Sequence, residues 1–290
     1  MQMMNITAVV VLYRLRPDKS ATITTLVRSW KQCRGNGLNL NIVIYDNSPE
    51  IQNVTIEIPF QCQYFHDATN GGLSAAYNFA LNSNPNCHSQ WLLLLDQDSD
   101  LPENYLENMR KELTTADPDS DVTAVIPIVV QNGLPVSPAQ VKGGRIRPIP
   151  KPITGVCPFP VTAINAGTLI RKNFLYEIGG FNRQFKLDYL DHWLFAEIKQ
   201  RGKKVYITGA VINHDLSIGN NNHPVSAERY LSILKAETLF YIAYSDGGNY
   251  FCHLFNLAFR AGRQYFLGQA EFSRLTLMHF FSTINNRWNS

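Results

Sequence analysis

Along the first two thirds of this chain, short continuous apolar runs alternate with stretches whose apolar residues recur at helical spacing. Thr7-Ala8-Val9-Val10-Val11-Leu12-Tyr13 is rich in β-branched residues and predicts a buried strand. Pro17 and Ser20 lead into a helix from about Ala21 to Cys33, with Ile23, Leu26, Val27 and Trp30 at helical spacing and Gly35 and Gly37 to end it. Leu40 to Tyr45 predicts a second buried strand that closes on Asp46-Asn47-Ser48. Strand, helix, strand in that order implies a right-handed crossover and a parallel pair. Cys62 to Phe65 reads as a short strand, and a helix opens at Leu73. Trp91 to Leu95 is too short for an independent helix and ends abruptly in Asp96-Gln97-Asp98-Ser99-Asp100, as a strand buried on both faces does at a sheet edge. Pro102 predicts the first position of a helix to about Leu113. Val122 to Val130 reads as a strand, with Asn132-Gly133 as a tight turn after it. Lys142 to Pro160, rich in Pro, Gly, Lys and Arg, reads as a mobile loop over the active face. Thr162 to Ile170 predicts a strand, Arg171 to Ile178 a short helix stopped by Gly179-Gly180-Phe181, and Leu187 to Trp193 the opening of a helix that runs to about Arg201. Val205 to Ile212 is the last extended segment.

Beyond about Val225 the character changes. Ser226 to Tyr244 is helical, with Tyr230, Ile233, Leu234, Leu239 and Tyr241 on a broad apolar surface, and Asp246-Gly247-Gly248 breaks it. Tyr250 to Leu267 and Phe272 to Phe281 are aromatic-rich, with Arg260 and Arg263 interleaved. Two readings stand here: a helical appendage packed on the rest of the chain or on a second subunit, and an amphipathic surface resting on anionic lipid. With 290 residues and 45% hydrophobic content the chain can bury one large core plus an appendage. A net charge of +3 without Lys/Arg tracts argues against a nucleic-acid partner. Five dispersed cysteines without Cys-x-x-Cys spacing argue against a disulfide framework or a structural zinc site, and fit a reducing compartment. The apolar run from Ile6 to Tyr13 has no basic segment before it and no cleavage site after it, and no stretch reaches transmembrane length.

The candidate chemistry lies at the polar ends of the apolar runs. In an extended chain Asp96 and Asp98 point the same way and Gln97 points away. Two carboxylates so placed repel each other unless a cation sits between them, and hard oxygen ligands favour Mg2+ or Mn2+. Taken alone, Asp-x-Asp also fits an acidic loop after a core strand. Asp46 stands at the carboxyl end of a parallel strand, where ligands bind, and equally suits a turn. In Asn70-Gly71-Gly72 two glycines let backbone approach a ligand, and the helix that follows offers free N–H groups; a plain helix-start turn has the same composition. Neither a Walker loop nor Gly-x-Gly-x-x-Gly is present. Asp188 and Asp191, three apart, would share one face of a helix entry. Lys142, Arg145, Arg147 and Lys151 are cations that could meet phosphates or simply solvate a loop.

In order and spacing, these blocks resemble a family 2 glycosyltransferase of the GT-A fold, within its bacterial rhamnosyltransferase branch. The resemblance runs from about Thr7 to about Ser217 and is carried by the opening strand to Tyr13, Asp46-Asn47-Ser48, Asn70-Gly71-Gly72 with Ala76 and Asn78, and Asp96-Gln97-Asp98. Further on, Ile164 to Ile170, Gly179-Gly180-Phe181, Asp188-Tyr189-Leu190-Asp191 and His214 continue it. It implies an α/β, Rossmann-like fold with a mostly parallel central sheet over residues 1–224, a nucleotide-sugar half at about 1–100 and an acceptor half at about 101–224, followed by a helical region at 225–290. It implies Asp191 as general base with Asp188 beside it. Tyr13, Asp46, Asn70, Gly71, Gly72, Asn78, Asp96, Asn165 and Trp193 would contact substrate, Asp46 through the nucleotide base. Asp98, Asp96 and His214 would hold Mg2+ or Mn2+, with Asp98 the most direct ligand. The implied activity is inverting transfer of a sugar, rhamnose from dTDP-rhamnose in the first instance, to a cell-surface glycan or glycolipid such as an O-antigen, lipopolysaccharide core or capsule precursor. A UDP-hexose or UDP-GlcNAc donor, or a catalytically silent nucleotide-sugar-binding scaffold, are the alternatives. The expected setting is the bacterial cytoplasm, with peripheral contact at the inner membrane through residues 250–281 and a homodimer among the options. Where the branch carries an acidic residue two after the base and an arginine further along, this chain has Trp193 and Glu197.

Overall fold

The computed structural model describes residues 4–33, 37–53, 55–83, 89–115, 121–142, 145–214, 225–244 and 247–288. The chain divides into two compact units, Met1–Gln140 with Arg147–Asp215, and Val141–Ile146 with Leu216–Ser290.

From the N-terminus run β1 (Met4–Leu12), α1 (Ala21–Cys33), β2 (Leu38–Asp46), β3 (Gln61–His66), α2 (Gly72–Asn82), β4 (Trp91–Leu95), β5 (Ser99–Asp100) and α3 (Tyr105–Thr115). Then come β6 (Val122–Gln131), β7 (Leu134–Ser137), β8 (Ala139–Lys142), β9 (Arg145–Pro148), β10 (Gly155–Val156), β11 (Thr168–Arg171), α4 (Lys172–Glu177), α5 (Leu190–Gln200) and β12 (Lys204–His214). The main sheet has the order β10-β12-β6-β11-β4-β1-β2-β3, with β5 paired to β12 and β7 to β6; β8 and β9 form a separate two-stranded sheet. The pairs β1–β2, β1–β4, β2–β3 and β6–β12 are parallel, and β11 is antiparallel to both its neighbours.

The alternation of side chains fixes the layers. One face of the sheet, through Ile6, Ala8, Val10, Leu12, Ile42, Ile44, Leu93 and Leu95, joins Ile23 and Leu26 of α1 and Leu106 and Met109 of α3 in one core. The opposite face carries Val9, Val43, Leu92 and Leu94, all buried, and α2 lies against β1 and β4 there. Being covered on both faces is why β1 and β4 read as unbroken apolar runs. The register pairs Leu12 with Asp46, Asp46 with His66 and Val10 with Leu95, so the polar residues after β1, β2, β3 and β4 emerge along one edge.

Four expectations change. Lys142 to Pro160 is not one loop, since it contains β9 and β10 and the end of β8. Thr162 to Ile170 is a strand only from Thr168, because the small residues before it turn at Gly167 (φ 81°). Asp188 lies ahead of α5, whose first-turn geometry starts only after Tyr189 in the left-handed region (φ 63°), so Asp188 and Asp191 do not share a helical face. Residues 96–98 form a turn between β4 and β5, not an extended run, so strand alternation does not orient the two aspartates. The Asn132-Gly133 turn has both residues at positive φ, 50° and 75°, as a tight hairpin between β6 and β7 needs.

The second unit contains α6 (Ala227–Tyr244), α7 (Gly247–Phe266) and α8 (Ala270–Trp288). Its interior is polar at the centre. Glu237 of α6 accepts two hydrogen bonds from Arg260 of α7, at 2.7 and 2.8 Å, and Thr238 Oγ1 lies 2.8 Å from Nε2 of both His253 and His279. Tyr241 stacks on His253 at 4.6 Å. Arg260, expected beside lipid headgroups, is therefore committed to a buried carboxylate. Along α7, Phe251, Phe255, Phe259 and Phe266 are exposed. Among the described residues no helix is long and apolar enough to cross a membrane.

Candidate active site

The ends of β1, β2 and β4 are tied together by short hydrogen bonds. Asn47 N–H donates to Leu12 O (2.8 Å), Arg14 N–H to Ser48 Oγ (2.7 Å), and Tyr13 N–H to Gln97 Oε1 (2.8 Å). The Arg14 guanidinium lies over the Tyr13 ring, which stays exposed. Asp46 is fully buried. Its Oδ1 accepts Ser48 N–H (2.9 Å), and its Oδ2 accepts Tyr64 O–H (2.5 Å) and Gln52 N–H (3.2 Å). Burial and the bond to Asp46 push the Tyr64 phenol up to about 12, so it remains a donor. Asp46 thereby shapes residues 47–52.

Helix α1 clamps the acidic turn. Ser20 Oγ donates to Gln97 O (2.7 Å) and accepts Ile23 N–H (3.2 Å), capping α1 and holding the turn with one hydroxyl. Thr22 Oγ1 meets both backbone groups of Ser99, Thr25 Oγ1 accepts Leu101 N–H, and Ser29 Oγ accepts Leu106 N–H. Asp96 is half-buried and Asp98 exposed. On the far side, β5 pairs with β12 so that Ser99 lies opposite His214, which brings that backbone one residue from Asp98. The His214 side chain lies outside the described residues, as do those of Lys142 and Arg145.

Asn70-Gly71-Gly72 is held from beneath by Asp67, which the sequence reading passed over. Asp67 Oδ1 accepts the N–H and O–H of Thr69, and Oδ2 accepts Tyr45 O–H (2.8 Å) and Gly71 N–H (2.9 Å). Burial raises its pKa, but these donors more than offset that and hold it at about 2. Asn70 has φ 51° and Gly72 φ 81°. Gly72 N–H donates to Asn47 Oδ1 (3.3 Å), and a Cβ at Gly72 would stand 2.4 Å from Lys186 O. Asn78, expected at the substrate, has another task. Its Nδ2 donates to Phe181 O (2.7 Å) and its Oδ1 accepts Phe181 N–H (2.8 Å), a reciprocal clamp between α2 and the Gly179-Gly180-Phe181 turn.

Asp191 occupies the first turn of α5. Its Oδ1 accepts His192 N–H at 2.8 Å, and His192 Nδ1 lies 2.7 Å from Thr162 Oγ1. Asp188 is half-buried just before the helix. Trp193, expected on the acceptor surface, is 3% exposed and packs against Phe181, so it backs the wall without forming it. Glu197 pairs with Arg201 one turn on. Tyr77 Oη and Asn165 Oδ1 are among the buried polar atoms that have no hydrogen-bond partner among the described residues. Tyr77 is fully buried against Phe181, and burial, with the charges of Asp96 and Asp191, drives its pKa far up. Tyr77 was missed because it looks like one more apolar residue on α2. Asp67 was legible in principle, as a third carboxylate at the end of a parallel strand.

Residues 11–177, more than half of the chain, match the profile of glycosyl transferase family 2. The chain belongs to that family. Among solved structures, S. aureus TarS is 14% identical over 90% of this chain and 44% of its own, with a TM-score of 0.51. The mannosyltransferase PcManGT from Pyrobaculum calidifontis, in complex with GDP-Man and Mn2+, is 14% identical over 98% of this chain and 87% of its own, with a TM-score of 0.52. This chain therefore spans less than half of that TarS chain. At this identity the likeness is one of fold, and the fold of this family 2 member is GT-A. No curated protein sequence matches the chain.

Proposed function

We propose that this glycosyltransferase moves a sugar from a nucleoside diphosphate sugar, with inversion, onto a hydroxyl of a glycan or glycolipid destined for the bacterial cell surface. The donor we favour is dTDP-L-rhamnose. The observation behind the proposal is the edge where the polar strand ends gather: the Asp96-Gln97-Asp98 turn clamped by Ser20, and the Asn70-Gly72 loop tied to Asn47.

Asp96 and Asp98 present hard oxygens in a single turn, and among the described residues no third His, Cys, Asp or Glu side chain completes a metal cluster with them. Such a two-carboxylate set fits Mg2+ or Mn2+, which commonly take one or two carboxylates and complete their shell with phosphate oxygens and water. A bound cation would supply neutralisation of the charge that builds on the diphosphate leaving group. Gly71 and Gly72 let the loop backbone come close to the donor, while Tyr13 and residues 47–52 frame the nucleotide. Asp191 takes the proton from the attacking acceptor hydroxyl. Its Oδ1 is held by His192 N–H, which leaves Oδ2 for that task. Displacement across the sugar from the leaving group inverts the anomeric centre. The phenylalanine stripe of α7 is our candidate for peripheral contact with the cytoplasmic face of the inner membrane, where a lipid-linked acceptor would be met.

A thermal-shift panel with dTDP, UDP, GDP and CMP, each with and without Mn2+, tests the donor class, because a ligand of the folded state raises the melting temperature by mass action. dTDP with Mn2+ should give the largest rise, and a panel with no rise at all would overturn the proposal. Asp191→Asn should lower turnover by about 10²–10⁴-fold with the nucleotide-induced rise intact. Flotation with anionic liposomes should carry the wild type up and leave Phe255→Glu behind; a wild type that stays at the bottom ends the membrane reading.

A further inference from the structure

Between the edge strand β3 and helix α2 lies a groove of about 710 Å³, lined at one end by Gly71 of the donor loop. Its wall is aromatic. Phe65 and Phe79 stack with ring centroids 4.3 Å apart and an interplanar angle of 27°, and Tyr45 lies 5.2 and 5.6 Å from them. Phe65 is 38% exposed, although it sits on a sheet edge that could have buried it. The rim is cationic: Arg183 and Lys186 both line the groove, both are exposed, and neither is engaged in an ion pair among the described residues. The carboxylate in the lining, Asp67, is occupied by the donors of Thr69, Tyr45 and Gly71. Two cations therefore face one ionised carboxylate, which leaves the rim with a net positive charge.

We propose that this groove is a subsite for an anionic saccharide, a part of the acceptor remote from the reacting hydroxyl, whose ring lies on Phe65 and Phe79 and whose carboxylate or phosphate is held by Arg183 and Lys186. A flat apolar wall with a few convergent polar groups suits a ring that has both C–H faces and hydroxyl edges, and a rim of net positive charge selects for negative charge. The location supports the assignment. The segment bearing Arg183 and Lys186 joins the Gly179-Gly180-Phe181 turn to Asp191. Lys186 O also accepts Ser74 N–H (3.4 Å) and packs on Gly72. An occupant of the groove would thus touch the loop that leads to the base and the loop that meets the donor. Calling the occupant an acceptor rests on the glycosyltransferase reading above; the binding of an anionic saccharide does not.

Saturation-transfer difference NMR on the full chain tests this with glucuronic acid, glucose 1-phosphate and glucose as probes and inorganic phosphate as competitor. The two charged sugars should show ring-proton saturation and glucose should bind about tenfold more weakly or not at all. Arg183→Glu should remove the signal of the charged sugars, and Phe65→Ala, at an exposed side chain, should weaken the ring-proton saturation. Equal binding of glucose, no binding by the wild type, or a signal kept in both variants overturns the subsite. A signal that Phe65→Ala leaves intact and inorganic phosphate displaces outright reduces the groove to a simple anion site and also overturns it. The nucleotide and Mn2+ melting rise, measured on the same samples, separates the two failures. A rise without sugar signal sinks only the groove, and a sugar signal without any rise sinks only the transferase reading.

Discussion

Thr22 and Ser99 exchange two hydrogen bonds through one side-chain oxygen. Thr22 Oγ1 accepts Ser99 N–H at 2.8 Å and donates to Ser99 O at 3.1 Å. A helix hydroxyl thereby does for the strand after the acidic turn what a neighbouring strand would do, and Ser99, the residue after Asp98, is fixed from a residue 77 positions away in sequence. Thr22→Val keeps the shape and removes both bonds in a fully buried place. The expected cost is about 1–3 kcal/mol. The melting rise with nucleotide should also lose its dependence on Mn2+, because Asp96 and Asp98 are no longer held. Denaturant titration and the thermal-shift panel read the two effects separately.

Gly72→Ala asks the chain for two things it cannot give. The left-handed φ of 81° costs an alanine about 1–2 kcal/mol, and the new Cβ meets Lys186 O at 2.4 Å. Gly133→Ala has a similar φ of 75° with open space around it, so it carries the backbone cost alone. Comparing the unfolding free energies of the two variants isolates the clash, and only Gly72→Ala should impair nucleotide binding.

Asp67 should leave a mark on acid stability. Its pKa in the folded chain is about 2, below the ordinary carboxylate value of 3.8, so the unfolded state takes up a proton first as pH falls. The stabilisation is complete above pH 3.8 and drains away toward pH 2. In Asp67→Asn that part of the slope should vanish. Chemical denaturation at closely spaced pH values between 4.5 and 2 decides it.

Burial lowers the His253 pKa to about 4 despite the nearby Glu237 carboxylate. Folding of the second unit should therefore weaken as pH drops from 6.5 toward 4, where the unfolded chain binds the proton and the folded one does not. His253→Gln should flatten that slope. Arg260→Ala, which strands Glu237 in the helix interior, should cost about 2–4 kcal/mol at neutral pH. Retained stability in that variant would mean that Glu237 finds another partner.

The apolar runs of β1, β2 and β4 were plain in the sequence because a strand covered on both faces has no polar alternation to confuse it, and α1 announced both its ends. The strand-end carboxylates were legible for the same reason. The contacts that hold them were not. Asp46 with Tyr64, Asn78 with Phe181, and the α1 hydroxyls with residues 97–106 join positions far apart in the chain, and no local period encodes such pairings. Trp193 illustrates the converse error. An aromatic beside a candidate base invites a substrate contact, yet the left-handed turn at Tyr189 sets the phase of α5 so that Trp193 faces inward.

The reciprocal bonds between Asn78 and the backbone of Phe181 span 103 residues, and Gly180 has no room for a Cβ beside the same amide, 2.4 Å away. Anyone grafting the first hundred residues of a homologue onto the remainder of this chain, to trade one sugar for another, must move both ends of that joint together. A hybrid that splits the asparagine from its glycine would dislodge the approach to Asp191 before specificity could be judged.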